Sequence, residues 1–423
     1  MSDPLVSRRR FLAWSGMSAI ALAGAGFGFE DLFARARTDP LPPGAGVLVM
    51  LTMYGGNDGL NMLIPATDPA YQAARPDLAY RPEEILPLGE GLGLNPGMPG
   101  LKTAWDDKQL AIVRGVSYPA PDHSHFRSMD IWQTASPDHP ADTGWLGRWL
   151  DGPGGRDPLH AVSIGPVLPP MLAGATTAGA TLPTDRFTLP TGQLGTAFTA
   201  LGAPTGEEPA YQAQAARAIA DLHRAAATLG PALDRTRTVP APTDAPEAGP
   251  VPAPLSPHPA RAGGGQLAHE LDIVAACIEL GAPTRVYSVS LGGFDTHTGE
   301  RPTQQRLLTE LDAAIGAFLA RMAGTARGRD VVLLAYSEFG RRVAANANQG
   351  TDHGTAGPVL LAGAKIRGGF IGEQPSLTDL ADGDLKPTGD FRDIYATMLT
   401  DVLGTDPGPV LGPGRRQLPL IRT

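Results

Sequence analysis

Apolar residues along this chain gather in short, uninterrupted runs: GVLVMLTM (46–53), LAIVRGV (110–116), HAVSIG (160–165), TRVYSVSL (284–291), VVLLAYS (331–337) and PVLLAGA (358–364). A strand with one wet face alternates polar and apolar positions, whereas a strand covered on both faces does not. These runs therefore predict central strands of a sheet sandwiched by helices. Between them, apolar positions recur at spacings of three and four in HFRSMDIWQTA, AYQAQAARAIADLHRAAATLG, GQLAHELDIVAACIELG, TQQRLLTELDAAIGAFLARMAG and DFRDIYATMLTDVLG, the period of amphipathic helices. Strand and helix in alternation predict an α/β, doubly wound, mostly parallel central sheet with helices on both faces. Its site is expected beyond the carboxyl ends of the strands.

Three stretches fall outside this pattern. Residues 239–265 are nearly all Pro, Ala and Gly and bury too little apolar surface to fold, so they predict a mobile insertion. Residues 80–100 and 166–208 are rich in Gly, Pro and Thr and predict long excursions over the sheet. At the N-terminus, SRRRFLAWSGMSAIALAGAGFGF places Arg8 and Arg9 before a weakly apolar Gly/Ala run, which resembles a twin-arginine export signal. FARAR then supplies a small-x-small cleavage pattern at Ala34 and Ala36. The expected organisation is an export signal over 1–36, followed by a single domain over 44–423 that works in the periplasm or outside the cell. An uncleaved signal would be its one contact with a membrane.

Composition narrows the partners. A net charge of -9 and the lack of P-loop or zinc-knuckle spacing argue against nucleic acid. Cys277 is the single cysteine, in an apolar helical pattern, and predicts a buried small hydrophobe with no internal disulfide.

Acidic, imidazole and amide side chains stand at the ends of the predicted strands. Asn57 and Asp58 follow the first, Asp295 and His297 follow VYSVSL, Glu338 follows VVLLAYS, and Asp352 and His353 precede GPVLLAG. Rigid strand ends can hold carboxylate and imidazole ligands in fixed geometry, and this mixture suits zinc, manganese or iron better than calcium. Each position also has a plainer reading. Asp58 can cap its turn, Asp295 the following segment, Glu338 can pair with Arg341 or Arg342, and Asp352 and His353 can form a polar turn. His123, Ser124 and His125 open the predicted helix, whose free N–H groups and dipole favour an anion or a nucleophile; Arg127 follows on the same turn. Capping by Asp122 or Ser124 is the alternative there.

YGGNDGLN, HSHFRSMDIWQTA, GGFDTH, YSEFGRR and DHGTAGPVLLAGAKIRGGFIG together resemble the bacterial secreted family catalogued as domain of unknown function 1501. That family is similar to the alkaline phosphatase and sulfatase superfamily, whose members hold one or two metal ions at the strand ends of a doubly wound sheet. The resemblance implies Asp58, Asp295, His297, Glu338 and His353 as ligands, with Asp352 a ligand or an orienting group. It implies Ser124 or His125 as nucleophile or base with His123 beside them, and Asn57, Arg127, Arg341 or Arg342 on an anionic substrate. The sulfatase C-x-P-x-R motif is absent, so formylglycine chemistry is not expected. The expectation is an exported hydrolase of a phosphate or sulfate ester, or a related anionic bond, using one or two divalent ions: zinc first, with manganese, iron or calcium after it. Its substrate would be an anionic small molecule or glycan. The rival expectation is a non-catalytic envelope protein that keeps the fold, with or without one metal, to bind a glycan or a partner.

Overall fold

The computed structural model describes residues 29–182, 184 and 265–422. The twin-arginine stretch up to Gly28, most of the 166–208 excursion, the AYQAQAARAIADLHRAAATLG pattern and all but the last residue of the Pro/Ala-rich insertion lie outside the described residues.

In chain order the elements are helix α1 (Phe29–Thr38), strands β1 (Val47–Met53) and β2 (Leu63–Ile64), helix α2 (Pro69–Ala74), strands β3 (Leu86–Gly89) and β4 (Leu92–Leu94), and helix α3 (Pro99–Asp106). Strand β5 (Leu110–Ser117), helices α4 (His125–Thr134) and α5 (Trp145–Asp151), and strands β6 (Ala161–Ile164) and β7 (Ala180–Leu182) follow. Next come helix α6 (Gln266–Leu280), strand β8 (Val286–Leu291), helix α7 (Glu300–Ala323), and strands β9 (Val331–Tyr336), β10 (Arg341–Ala345), β11 (Thr351–His353) and β12 (Gly357–Ala362). The chain closes with strands β13 (Gly369–Ile371), β14 (Leu380–Ala381), β15 (Asp384–Leu385) and β16 (Gly389–Asp390), then helices α8 (Phe391–Thr397) and α9 (Gly408–Leu411).

All six apolar runs enter one nine-stranded sheet, ordered β13-β5-β12-β9-β1-β8-β6-β7, with β16 also on β5. Every neighbouring pair is parallel except those made by β12, which runs antiparallel to β5 and β9. The alternate residues of β1 explain its missing polar positions. Val47, Val49, Leu51 and Met53 join one core with α3, α6 and α7, while Leu48 and Met50 join another with Trp132 of α4, Trp145 of α5 and Phe391 of α8. The sheet is thus covered on both sides, as the runs predict.

The reversal of β12 matters for the site. Asp352 and His353 stand before their strand while the other candidates stand after theirs. In an all-parallel sheet they would fall on the opposite rim, but the antiparallel β12 brings them to the carboxyl rim with the rest.

Helix α1 spans the expected cleavage pattern. Leu32 is fully buried in the α6 and α7 core, Ala36 is buried too, and Arg35 pairs with Asp157 at 3.4 Å. Among the described residues no helix is long and apolar enough to cross a membrane. Cys277 is buried in α6, as expected.

Candidate metal centre

Four segments deliver the centre: the start of α4 (His125), the turn after β8 (Asp295, His297), the turn after β9 (Glu338) and the end of β11 (His353). They approach closely because glycines line the turn after β1. Gly55 has φ +116, and a Cβ on it would lie 2.5 Å from the backbone nitrogen of Asp295; one on Gly56 would strike the Phe339 ring. That ring forms a floor, its centroid 4.8 Å from the imidazoles of both His125 and His353. The glycines of LGGFDTH are different. A Cβ on Gly292 would meet nothing within 4 Å, while Gly293 has φ +104, so the requirement there is backbone conformation.

The three imidazoles are oriented alike. His125 Nδ1 donates to Glu338 Oε1 at 2.8 Å, and His353 Nδ1 donates to the His123 carbonyl at 2.7 Å; His297 Nδ1 faces Asp352 Oδ1 at 3.4 Å. Oxygens of this kind only accept, so Nδ1 of His125 and of His353 carries a hydrogen; with neutral rings the three Nε2 atoms would be the metal-binding nitrogens. Those three Nε2 atoms turn to one carboxylate: His125 is 3.4 Å from Asp295 Oδ2, and His297 and His353 are 3.0 and 3.2 Å from Oδ1. The Nε2 atoms of His297 and His353 are 2.9 Å apart, and that of His125 is buried without a hydrogen-bond partner.

Three ring nitrogens gathered round one carboxylate form a group that could hold a cation. Nitrogens of His125 and His353 and an oxygen of Asp295 all lie within 4.8 Å of one another. Two ligands about 2.1 Å from a tetrahedral ion stand about 3.4 Å apart, so the 3.4 and 3.2 Å spacings fit one. Hydrogen-bonding Nδ1 outward to an oxygen is also how metal-bound histidines are fixed in tautomer and orientation. The proton affinities reflect the same grouping. Burial lowers the His125 pKa, but the carboxylates of Asp295 and Glu338 beside it outweigh this and raise it to about 9, so without a metal a proton takes the cation's place on the ring. Burial pushes the Asp295 carboxyl up, yet the imidazoles of His125 and His353 and the Arg341 guanidinium beside it hold it far below the usual range.

The remaining expected ligands take other places. Glu338 is buried, accepts from His125 Nδ1, from the Gly55 N–H at 2.9 Å and from Ser337 Oγ at 2.9 Å, and so orients His125 instead of facing the ion. Asp352 is an orienting group for His297. Asp58 is a correction: fully buried, it has both oxygens taken by Arg75, one at 3.0 Å, and Oδ1 also accepts from the Leu60 N–H at 3.2 Å, so it leaves no free lone pair for the centre. Glu300, at the start of α7, is also fully buried and hydrogen-bonds to Asp58. Burial first, then the Asp58 charge, raises its pKa to about 9. Two carboxyls thus share one guanidinium, and Glu300 keeps its proton at neutral pH.

The substrate candidates divide. Asn57 is buried and its side chain is taken up by Met62 and Gln304, and Arg127 turns away to Asp130 at 2.6 Å and the Pro137 carbonyl. Arg341 is also buried and is a clamp: its guanidinium donates to the carbonyls of Gly55, Gly56, Phe294 and Thr351 and, at 2.7 Å, to Asp295 Oδ1. The polar groups of all three are engaged within the chain. Arg342, next along β10, is half exposed and sits 3.6 Å from Asp384 Oδ1. Ser124 caps α4 and is exposed, one residue before His125. The His123 ring points to Asp384, with Nε2 2.7 Å from Oδ2. Sequence reading missed Arg75, Glu300, Phe339 and Asp384; YSEFG offered the aromatic beside Glu338 as a signal, while the other three stand in no motif.

Residues 273–418 match DUF1501, a family described as protein of unknown function. The first two of the five motifs lie outside that match. No curated protein matches the chain. Among solved structures, an alkaline phosphatase superfamily protein from Vibrio parahaemolyticus is 11% identical, with 91% of this chain and 78% of that one covered at a TM-score of 0.39. The C-terminal periplasmic domain of EptC from Escherichia coli, in complex with zinc, is 12% identical over 88% of this chain and 90% of that one, TM-score 0.39. The lipoteichoic acid synthase LtaP from Listeria monocytogenes is 9% identical over 92% and 80%, TM-score 0.35. Likeness at this level carries no weight in assigning a reaction.

Proposed function

For a chain whose residues 273–418 carry the DUF1501 signature, we propose an exported metal-dependent hydrolase of a phosphate or sulfate ester, or a related anionic bond. One observation carries the reading: the Nε2 atoms of three imidazoles turn to a single carboxylate on the carboxyl rim. His125, His353 and Asp295 would hold the ion, with His297 beside them. Zinc is the ion this donor set fits first; manganese and iron follow. When bound, such an ion polarises an ester oxygen and lowers the pKa of water on it toward about 7.

The chain's own residues do the rest. Glu338, Asp352 and the His123 carbonyl keep the three rings in one tautomer, and Arg341 fixes the Asp295 carboxylate. Ser124 offers a hydroxyl at a helix N-terminus, where developing negative charge is stabilised by unpaired N–H groups. Arg342 has guanidinium donors available for an anionic substrate. Among the described residues one ligand group forms, which favours a single ion over two.

The test is metal analysis of the purified full chain, then turnover of generic phosphate and sulfate monoesters with Asp295→Ala as control. The reading expects near-stoichiometric zinc and turnover that Asp295→Ala abolishes. Zinc without Asp295-dependent turnover would leave the envelope-binding alternative, and the absence of both zinc and turnover would overturn the enzyme reading.

A further inference from the structure

Asp384 belongs to no sequence motif and touches none of the candidate ligands, yet it lies one residue behind them. It sits in β15, which packs on β10, and is 3% exposed. Its Oδ2 accepts from His123 Nε2 at 2.7 Å, and Oδ1 lies 3.6 Å from Arg342 Nε with no hydrogen bond. A carboxylate withdrawn from water is costly, and Arg342 and His123 are the groups that compensate it. The next link is the backbone of His123, whose carbonyl accepts from His353 Nδ1 at 2.7 Å.

We propose that Asp384 is a positioning residue of the metal centre, acting through His123 on His353; this rests on the metal-site reading above. The bond from His353 Nδ1 exists only if the peptide after His123 presents its oxygen to the ring. That peptide belongs to the segment leading into α4, where Ala120 adopts φ 51 and the Asp122 N–H donates to the Tyr118 hydroxyl at 3.0 Å. Within this segment the His123 side chain is anchored by Asp384 alone, across 261 residues of chain. Asp384 thereby fixes the acceptor that holds His353 with its Nε2 lone pair inward, and the same anchor steadies Ser124. Partners one shell beyond the ligands change metal affinity by about 10–100-fold when removed, because a ligand free to rotate must be ordered on binding.

The experiment measures zinc affinity of the full chain by competition with a chromophoric chelator. Asp384→Asn keeps the shape of the side chain and removes its charge; the expected result is a loss of about tenfold or more with the fold intact by circular dichroism. His123→Ala leaves the carbonyl in place but cuts the same anchor, so it should lose a similar factor, and the double variant should lose no more than either single one. Asp151→Asn controls for general destabilisation: Asp151 holds the Ala175–Thr177 turn through three backbone N–H groups, apart from the metal centre, and its loss should leave zinc affinity unchanged. Zinc affinity of Asp384→Asn equal to the parent, additive single losses, or an equal loss in Asp151→Asn each overturns the proposal while leaving the metal reading intact. A parent chain that takes up no zinc overturns both.

Discussion

Asp58→Asn separates two roles that a carboxylate after a first strand can have. As a ligand its loss would empty the centre; as the counter-ion of Arg75 its loss would cost stability and spare the metal. Both side chains are fully buried, and breaking such a pair from one side costs about 3–5 kcal/mol, because the remaining charge is stranded. Two features bring the figure toward the lower end. Arg75 keeps its bonds to the carbonyls of Val343 at 2.8 Å and Arg342 at 2.7 Å, and Glu300, protonated in the parent, can release its proton and take over as counter-ion. The expected loss is therefore about 3 kcal/mol. Adding Glu300→Gln removes the substitute, so the double variant should fall beyond the sum of the two single changes by about 1–3 kcal/mol. Glu300→Gln alone should be neutral or stabilising at pH 7, since it replaces a group that is already uncharged. Urea unfolding followed by tryptophan fluorescence measures the stabilities, and metal analysis of the same samples counts zinc per chain. Parent-like stability with loss of zinc in Asp58→Asn would refute the assignment and restore Asp58 as a ligand.

Glu270, buried in α6, has its pKa pushed up by burial to about 7, against which its bonds from Gln266 and the Ser290 N–H work. The folded chain thus holds this proton more tightly than the unfolded one, so stability falls as pH rises from about 4.5 to about 7 and is flat in this respect above, by roughly 3 kcal/mol in all. Glu270→Gln should flatten that part of the profile in unfolding measured at pH 5, 6, 7 and 8; parallel profiles for parent and variant would contradict it. The N-terminal helix α1 offers a further test, made on a chain that begins at residue 29. One beginning at residue 37 loses buried Leu32 and should be less stable by about 2–4 kcal/mol, and equal midpoints would show that α1 does not pack as described.

The strands were legible because burial on both faces leaves a signature that needs no partner: β1 is apolar at every position except Thr52, and both cores explain why. Direction was not legible. An antiparallel β12 has the same apolar run as a parallel one, although only its reversal sets His353 on the rim beside Asp295. Within the site, Asp295, His297, His353 and Glu338 could be named because each follows or precedes a strand at the rim. Their division into ion-facing and orienting groups could not, since it depends on which ring nitrogen meets which oxygen. Asp58 misled for a related reason: the guanidinium that claims it comes from Arg75, in a segment with no motif, and the two carboxyls of Asp58 and Glu300 are brought together by α7 arriving from 242 residues further on.

Arg341 also dictates when the centre can exist during folding. Its five acceptors come from the turn after β1, the turn after β8 and the start of β11, at sequence separations of up to 286 residues. The turns that carry them are held in place by pairings just as distant, β1 on β8 and β1 on β9, so they meet only once those strands have joined. A folding chain therefore joins β1, β8 and β9 before it owns a place for an ion, and zinc uptake in a refolding experiment should lag behind the recovery of tryptophan burial. The ion would lock a finished rim instead of guiding its construction.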